Sequence, residues 1–155
     1  MSTDDTPTLV SGAAVAELLQ PVLVDLIALT LNAKQAHWHI RGSNFTPIHE
    51  QLDALVDDSR RFSDAVAERV VTLGAAVDGR PQAVAGASVT PGNSGFAAGE
   101  EVLAKVVEQL DDVIGNARGT LEPLDEVDLV TQDLIIETVG ELEKHRWMFA
   151  AQLAG

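Results

Sequence analysis

The sequence predicts an all-α protein, a bundle of four helices with a long crossover between the second and the third. Apolar residues recur at steps of three and four over four long segments, which is helical periodicity. We find no convincing alternation of apolar and polar residues that would indicate strands. A stretch rich in Gly, Pro, Ser and Ala, residues 75–94, separates the second and third segments and predicts the crossover, with room for one short helix.

The first predicted helix covers residues 11–40 and has two apolar faces. One face carries apolar residues from Val15 to Ile40, and the second carries Leu23, Ile27 and Leu31. A helix that is apolar on two sides has to be buried on both, by its own chain or by a partner. Pro21 interrupts the pattern and predicts either a kink or a later start of the helix.

The second helix is predicted to enter at Thr46-Pro47, where a hydroxyl cap precedes a proline, and to end at Gly74. It follows a helix-breaking segment, residues 41–44. The third is predicted over about residues 96–117.

The fourth helix is predicted to be capped by Asp125 or Asp128 and to continue to about residue 153. Four helices with one long crossover are typical of a ferritin-like bundle. We therefore expect a single ferritin-like domain over residues 11–155, preceded by an acidic tail, residues 1–10.

Composition excludes several classes of function. There are 24 acidic and 10 basic residues, which give a net charge of −14 and a pI near 4.4, so the chain repels nucleic-acid phosphate. The absence of cysteine excludes disulfides, iron–sulfur clusters, thiolate zinc sites and cysteine nucleophiles. Residues 1–8 do not resemble a secretory signal, and polar residues interrupt the most apolar stretch, Val15 to Ala33. We expect a cytoplasmic protein with no membrane partner, and association with the nucleoid is the alternative location.

Two pairs of side chains in the second helix have the spacing of metal ligands. His49 and Asp53 are four residues apart, as are Asp64 and Glu68, so each pair projects from one face and can hold a common ion. Imidazole and carboxylate ligands suit iron, zinc or manganese. The two pairs are 11 residues apart, roughly 16 Å along the axis, so one ion cannot bind to both pairs of one helix.

Two antiparallel copies of this helix would bring the pairs together. In such a dimer His49 faces Glu68 and Asp53 faces Asp64, and both pairings place the two-fold axis at the same point, between residues 58 and 59. The arrangement gives two equivalent intersubunit metal sites per dimer. Coincidence is the alternative, because acidic residues are abundant and four-residue steps are common on helices.

The remaining histidines and tryptophans differ in what they predict. His37 would join the site if the first helix lies beside the second, and a packed histidine is the alternative. His39 is expected at the surface or behind the ligands, because it lies on another side of the helix. Trp38, taken alone, is expected in the core, and His145 is expected to form a helix-surface pair with Glu141, without a metal role. The sequence has no Glu-x-x-His, so the usual intrachain di-iron bundle site cannot form.

The segment Lys34–Arg69 resembles the Dps family, the DNA-binding proteins from starved cells, within the ferritin-like superfamily. The resemblance lies in Lys-Gln-x-His-Trp at 34–38, Arg-Gly-x-Asn-Phe at 41–45 and His-Glu-x-x-Asp at 49–53. The segment Glu141–Phe149 is similar to the last helix of the family, so the resemblance extends over essentially the whole chain.

The resemblance implies a ferroxidase centre made by His37, His49 and Asp53 of one subunit with Asp64 and Glu68 of its two-fold mate. It also implies a homo-oligomeric hollow shell, a dodecamer of two-fold dimers, that oxidises Fe(II), commonly with hydrogen peroxide, and stores Fe(III) as mineral. Trp38 would be a radical sink beside the centre, so that Trp38→Phe releases more radicals.

Acidic side chains are candidates for iron pores and for mineral nucleation. Carboxylates that line pores and cavity would attract Fe(II) and nucleate mineral, with solvated helix carboxylates as the alternative. The candidates are Asp125, Asp128 and Asp133 for the pore, and Glu50 and Asp57 for nucleation.

The first basic residue is Lys34, so we expect no DNA binding at physiological salt. The alternatives are a non-catalytic structural or nucleoid-condensing shell and a plain helical bundle that binds a partner.

Overall fold

The computed structural model describes residues 10–154, and the predicted tail, residues 1–10, lies outside this range except for Val10. Four long helices form the bundle, and two short helices and a pair of two-residue strands lie in the connections. In chain order the elements are α1 (Gly12–His39), β1 (Ile40–Arg41), α2 (Phe45–Thr72), α3 (Pro81–Val84), β2 (Ala97–Ala98), α4 (Gly99–Arg118), α5 (Leu121–Val127) and α6 (Leu129–Ala151). The predicted four-helix architecture with a long α2–α4 crossover is therefore confirmed.

The core lies between two helix pairs, because α1 packs along α2 and α4 packs along α6. Its fully buried large side chains come from all four long helices, and they include Leu19, Leu26, Leu52, Phe62, Leu110, Leu142 and Phe149. Burial of such side chains stabilises the bundle by about 1.5–3 kcal/mol each.

The second apolar face of α1 is only partly covered within one chain. Leu23 is buried, Ile27 is half-buried and Leu31 is 58% exposed. By length and mean hydropathy, 1.8 over its most apolar window, α1 could cross a membrane, but half of that window is buried in the bundle. A core helix of a soluble protein meets the same criteria, and a core position is what the packing of α1 shows.

The predicted range of the first helix is confirmed, because Ser11 caps α1, which begins at Gly12 and continues through Pro21. The alternative of a later start is therefore wrong. The hydroxyl cap at Thr46 is wrong because α2 already begins at Phe45, after Asn44, which places Thr46 inside the first turn.

The predicted end of α2 at Gly74 is confirmed. Gly74 has a φ of +85°. Its N–H donates to the carbonyl oxygen of Val71, and the N–H of Ala75 donates to the carbonyl oxygen of Val70. This is the Schellman arrangement, which favours glycine because its left-handed backbone strains other residues.

The start of the fourth long helix is also settled. Asp128 caps α6 through a hydrogen bond from the N–H of Thr131, whereas Asp125 lies inside α5. The short helix α5 was not predicted, because its seven residues are too few to show a period.

A parallel strand pair was not predicted either. Ile40 pairs with Ala97 and Arg41 pairs with Ala98, which joins the end of α1 to the end of the crossover. The Arg41 guanidinium lies 3.3 Å from the ring centre of Phe96 at the same place. Two-residue strands are too short to show alternation, so the sequence carries no pattern for them.

Candidate metal centre

His37 and His49 hold each other in place where α1 ends and α2 begins. Nδ1 of His37 lies 2.6 Å from the main-chain oxygen of His49, and Nδ1 of His49 lies 2.7 Å from that of His37. The two rings stack with centroids 3.6 Å apart, and the ring of Phe45 stacks on His49 at 4.7 Å. The condition on which His37 would join the site, that the first helix lies beside the second, is therefore met.

These reciprocal contacts fix the tautomer of both rings. A carbonyl oxygen only accepts hydrogen bonds, so each Nδ1 carries the proton and donates it. In the neutral ring Nε2 then keeps its lone pair, which is the form that binds a metal ion. The fold thus orients two imidazoles, each of which could bind a metal ion through Nε2.

Asp53 completes this group on α2. Its Oδ1 lies 3.7 Å from Nδ1 of His37 and accepts a 2.6 Å hydrogen bond from Nζ of Lys34. The pKa of Asp53 is lowered from its ordinary value, first by the hydrogen bond from Lys34 and then by nearby positive charge, against the opposing effect of burial. The carboxylate is therefore ionised at neutral pH, but its nearest partner is an ammonium group.

Asp64 and Glu68 lie on the same helix but apart from this group. Both are exposed, and Asp64 borders a surface cavity beside Leu23 and Ile27 of α1. Within residues 10–154 no three His, Asp or Glu side chains are close enough to hold one ion. One chain therefore carries two separate groups of candidate ligands, named the histidine half-site (His37, His49 and Asp53) and the carboxylate half-site (Asp64 and Glu68).

The expectations for Trp38 and His39, the two residues that follow His37, have different outcomes. Trp38 is 61% exposed in the chain, so a core position is wrong: on α1 it points away from the side that packs on α2. His39 is half-buried, with Nδ1 bonded to the main-chain oxygen of Gln35 and its ring centre 5.3 Å from that of Phe96. A fully exposed position is therefore wrong, and a place behind the ligands stays a prediction.

His145 is not a helix-surface residue paired with Glu141. It is 4% exposed, and its Nε2 lies 2.6 Å from Oδ2 of Asp58 on α2. The physical reason is tertiary: the buried side of α6 packs on α2, so the partner lies 87 residues away rather than one turn away.

Asp128 does not offer a free carboxylate to a pore. Its side chain is buried, accepts a 2.8 Å hydrogen bond from Arg69, and is also bonded by the hydroxyl and N–H of Thr131. The other carboxylates proposed for the pore or for nucleation are exposed, namely Asp125, Asp133, Glu50 and Asp57.

Comparison with known proteins identifies the family. Residues 16–155 match the ferritin-like domain family. The chain is 36% identical to the DNA protection during starvation protein of Mycolicibacterium smegmatis over 143 residues, 90% of this chain and 76% of that protein. The solved structure of Dps from Microbacterium arborescens in the high iron form superposes with a TM-score of 0.91 at 38% identity, covering 97% of this chain and 98% of that one. The chain belongs to the Dps family.

A differently named relative is similar over a comparable length. The fine tangled pili major subunit of Haemophilus ducreyi is 34% identical over 147 residues, 94% of this chain and 78% of that protein. Because Dps proteins are ferritin-like, the confirmed bundle and the family agree, and membership implies a homo-oligomer with a role in iron storage.

Sequence reasoning missed the ammonium group on Asp53. The signal was available, because Lys34 is three residues before His37 and therefore projects from the same face of α1. The reciprocal histidine contacts could not be predicted, since they depend on the angle at which α2 leaves the turn after α1.

Proposed function

We propose that this Dps-family chain is an iron-sequestering ferroxidase. It oxidises Fe(II) with hydrogen peroxide at sites shared by two subunits and stores Fe(III) as a mineral in the cavity of an oligomeric shell, a dodecamer of two-fold dimers. The division of the ligands into two half-sites, with four of the five ligands on α2 and His37 on α1, carries the proposal. Family membership and the high iron form of a Dps relative support it.

Each half-site is incomplete alone and complementary to the other. The histidine half-site supplies two imidazole nitrogens and one carboxylate, and the carboxylate half-site supplies two more carboxylates. In the antiparallel α2 dimer each histidine half-site meets the carboxylate half-site of the mate. Nitrogen and oxygen ligands of this kind suit iron, and carboxylates favour Fe(III), the harder ion, once it forms.

The reaction consumes both substrates in two-electron units. Two Fe(II) ions each lose one electron, the O–O bond of one hydrogen peroxide breaks, and two protons are taken up to form two water molecules. Because both electrons pass to one peroxide, no hydroxyl radical is released. Trp38 adjoins His37 in sequence and is exposed in the single chain, which suits a radical sink close to the site.

The protection that such a protein gives DNA would be chemical rather than by contact. Several relatives are named DNA protection during starvation protein, and removal of Fe(II) and peroxide removes the reagents that damage DNA. The charge of −14 per chain opposes contact with a phosphate backbone.

Peroxide-driven oxidation of anaerobically added Fe(II) tests the proposal. His49→Ala/Asp64→Ala removes one ligand from each half-site and should reduce the rate by about 100-fold or more, with the assembly intact by native mass. Gln51→Ala/Ser63→Ala changes two neighbours on α2 that are not ligands and should leave the rate near that of the wild type. Equal, slow oxidation by all three proteins would contradict a catalytic centre and favour the non-catalytic shell.

A further inference from the structure

Asp25 is a buried carboxylate far along α1 from the metal centre. It is 1% exposed, and its two oxygens accept hydrogen bonds from the N–H of Ser88 at 3.0 Å and from Nδ2 of Asn116 at 2.8 Å. Both donors are neutral, and within residues 10–154 no Lys, Arg or His nitrogen lies within 4 Å of the carboxylate. Buried carboxylates in proteins are often paired with a cation or bound to a metal ion, and the contacts of Asp25 leave room for such a partner.

A cavity of about 350 Å³ adjoins this carboxylate. It opens to solvent between helix α1, the crossover and the end of α4, and its lining includes Pro21, Asp25, Ser88, Asn116, Gly119 and Thr120. The cavity therefore has room for an ion with bound water, next to the one buried anionic group of its lining.

The main-chain atoms around this cavity also favour positive charge. Helix α4 ends at Arg118, and the partial negative charge of a helix C-terminus attracts cations. The N–H groups of Gly119 and Thr120 donate to the main-chain oxygens of Gly115 and Ala117. The main-chain oxygen of Asn116 therefore accepts neither of these two hydrogen bonds. Pro21 has no N–H, so the main-chain oxygen of Glu17 on the adjoining turn lacks its helical donor.

We propose that Asp25, Asn116 and Ser88 form a binding site for a hard divalent cation, separate from the ferroxidase centre. Asp25 supplies the anionic oxygen, Asn116 and Ser88 supply neutral oxygens, and water completes the coordination. An all-oxygen site of this kind suits Mn²⁺, Ca²⁺ or Mg²⁺. The ion would join α1, the crossover and α4, three elements that meet at this carboxylate. With a single carboxylate, we expect a Kd of about 10⁻⁴–10⁻³ M.

Binding of Mn²⁺, followed by the loss of the free-ion signal in electron paramagnetic resonance, tests the site. The starting protein is His49→Ala/Asp64→Ala, so that failure of the ferroxidase proposal and failure of this one are distinguishable. Adding Asp25→Asn should remove one bound Mn²⁺ per chain and abolish part of the thermal stabilisation by Mn²⁺. Adding Asp112→Asn is the matched control, because Asp112 also binds the crossover, through Thr90, but does not line the cavity.

Equal Mn²⁺ binding by the Asp25→Asn and Asp112→Asn proteins would overturn the proposal, as would a starting protein that binds no Mn²⁺. If Asp25→Asn does not fold, Asn116→Ala takes its place, since it keeps the carboxylate and removes one neutral oxygen. We then expect at least a several-fold weaker Mn²⁺ affinity, and an unchanged affinity would overturn the site.

Discussion

Lys34 bonds to Asp53 in the histidine half-site, so a metal ion that binds there competes with an ammonium group. Lys34→Gln should raise metal affinity about three- to fivefold, because a partly exposed ion pair is worth up to about 1 kcal/mol. Titration with Zn²⁺, which takes the same ligands and is redox-inert, measures the effect. Lys105→Gln, which removes a charge from a lysine paired with Glu108, is the control. Weaker Zn²⁺ binding by Lys34→Gln would show that the lysine positions Asp53 instead.

Asp128 illustrates a carboxylate with a structural role. Burial alone would raise its pKa, but hydrogen bonds from Thr131 and Arg69 outweigh burial and lower the pKa below its ordinary value. A lowered pKa stabilises the fold above the unfolded-state pKa, and that contribution is lost as pH falls through the folded-state pKa.

Asp128→Asn should therefore reduce the free energy of unfolding by about 2–4 kcal/mol at neutral pH, because it breaks the buried ion pair with Arg69. The difference from wild type should shrink below about pH 4, as the wild-type carboxylate becomes protonated. Thermal unfolding between pH 3 and pH 7 measures it. Asp125→Asn, an exposed change of equal charge, should have little effect at any pH. A pH-independent difference would contradict the role of the ion pair.

At the scale of elements, α2 carries four of the five proposed ligands and ends in the Schellman turn at Gly74. Gly74→Ala places a Cβ on a left-handed residue and should destabilise the protein by about 1–2 kcal/mol. Gly95→Ala is the control, because the backbone there has no positive φ and a Cβ meets no atom within 4 Å. Melting temperatures compare the two variants, and equal values would contradict the strain.

The sequence predicted the long elements well and the short ones poorly. A helix of about twenty or more residues shows a clear helical period. The short helix α5 and the strands β1 and β2 have too few residues to show a period, and they form where tertiary packing brings their segments together. The same division holds at the site. Spacing predicted the two ligand pairs on α2, because they lie along one helix, whereas the place of His37 depends on the packing of α1 on α2. The His145–Asp58 contact joins α6 to α2, so no local spacing carries it.

At the scale of the whole molecule, the net charge predicts how the protein behaves toward DNA. With −14 per chain and no basic residue before Lys34, we expect no mobility shift of duplex DNA at about 150 mM salt, with a chelator present to prevent bridging by divalent ions. A variant in which a basic tail replaces residues 1–8 is the positive control. A shift by the unmodified protein would contradict the expectation and move the nucleoid-condensing alternative ahead.

The exposed side chains of one chain agree with an oligomer. Leu31 and Trp38 of α1 stay exposed in the single chain, and Leu31 adjoins an apolar cavity formed with α3 and the start of the crossover. Both residues lie on α1, which packs along α2, and the proposed two-fold axis passes α2 between residues 58 and 59. Their burial by a second chain would explain why α1 is apolar on two sides.

Complementation between subunits tests the central claim most directly. His49→Ala damages one half-site and Asp64→Ala damages the other, so neither protein alone retains an intact centre. In a dimer of one chain of each kind, one of the two shared sites is intact and the other carries both changes. Shells refolded from an equal mixture should therefore recover about a quarter of the wild-type rate of peroxide-driven Fe(II) oxidation, if chains mix at random. A mixture no faster than either single variant would contradict the intersubunit centre.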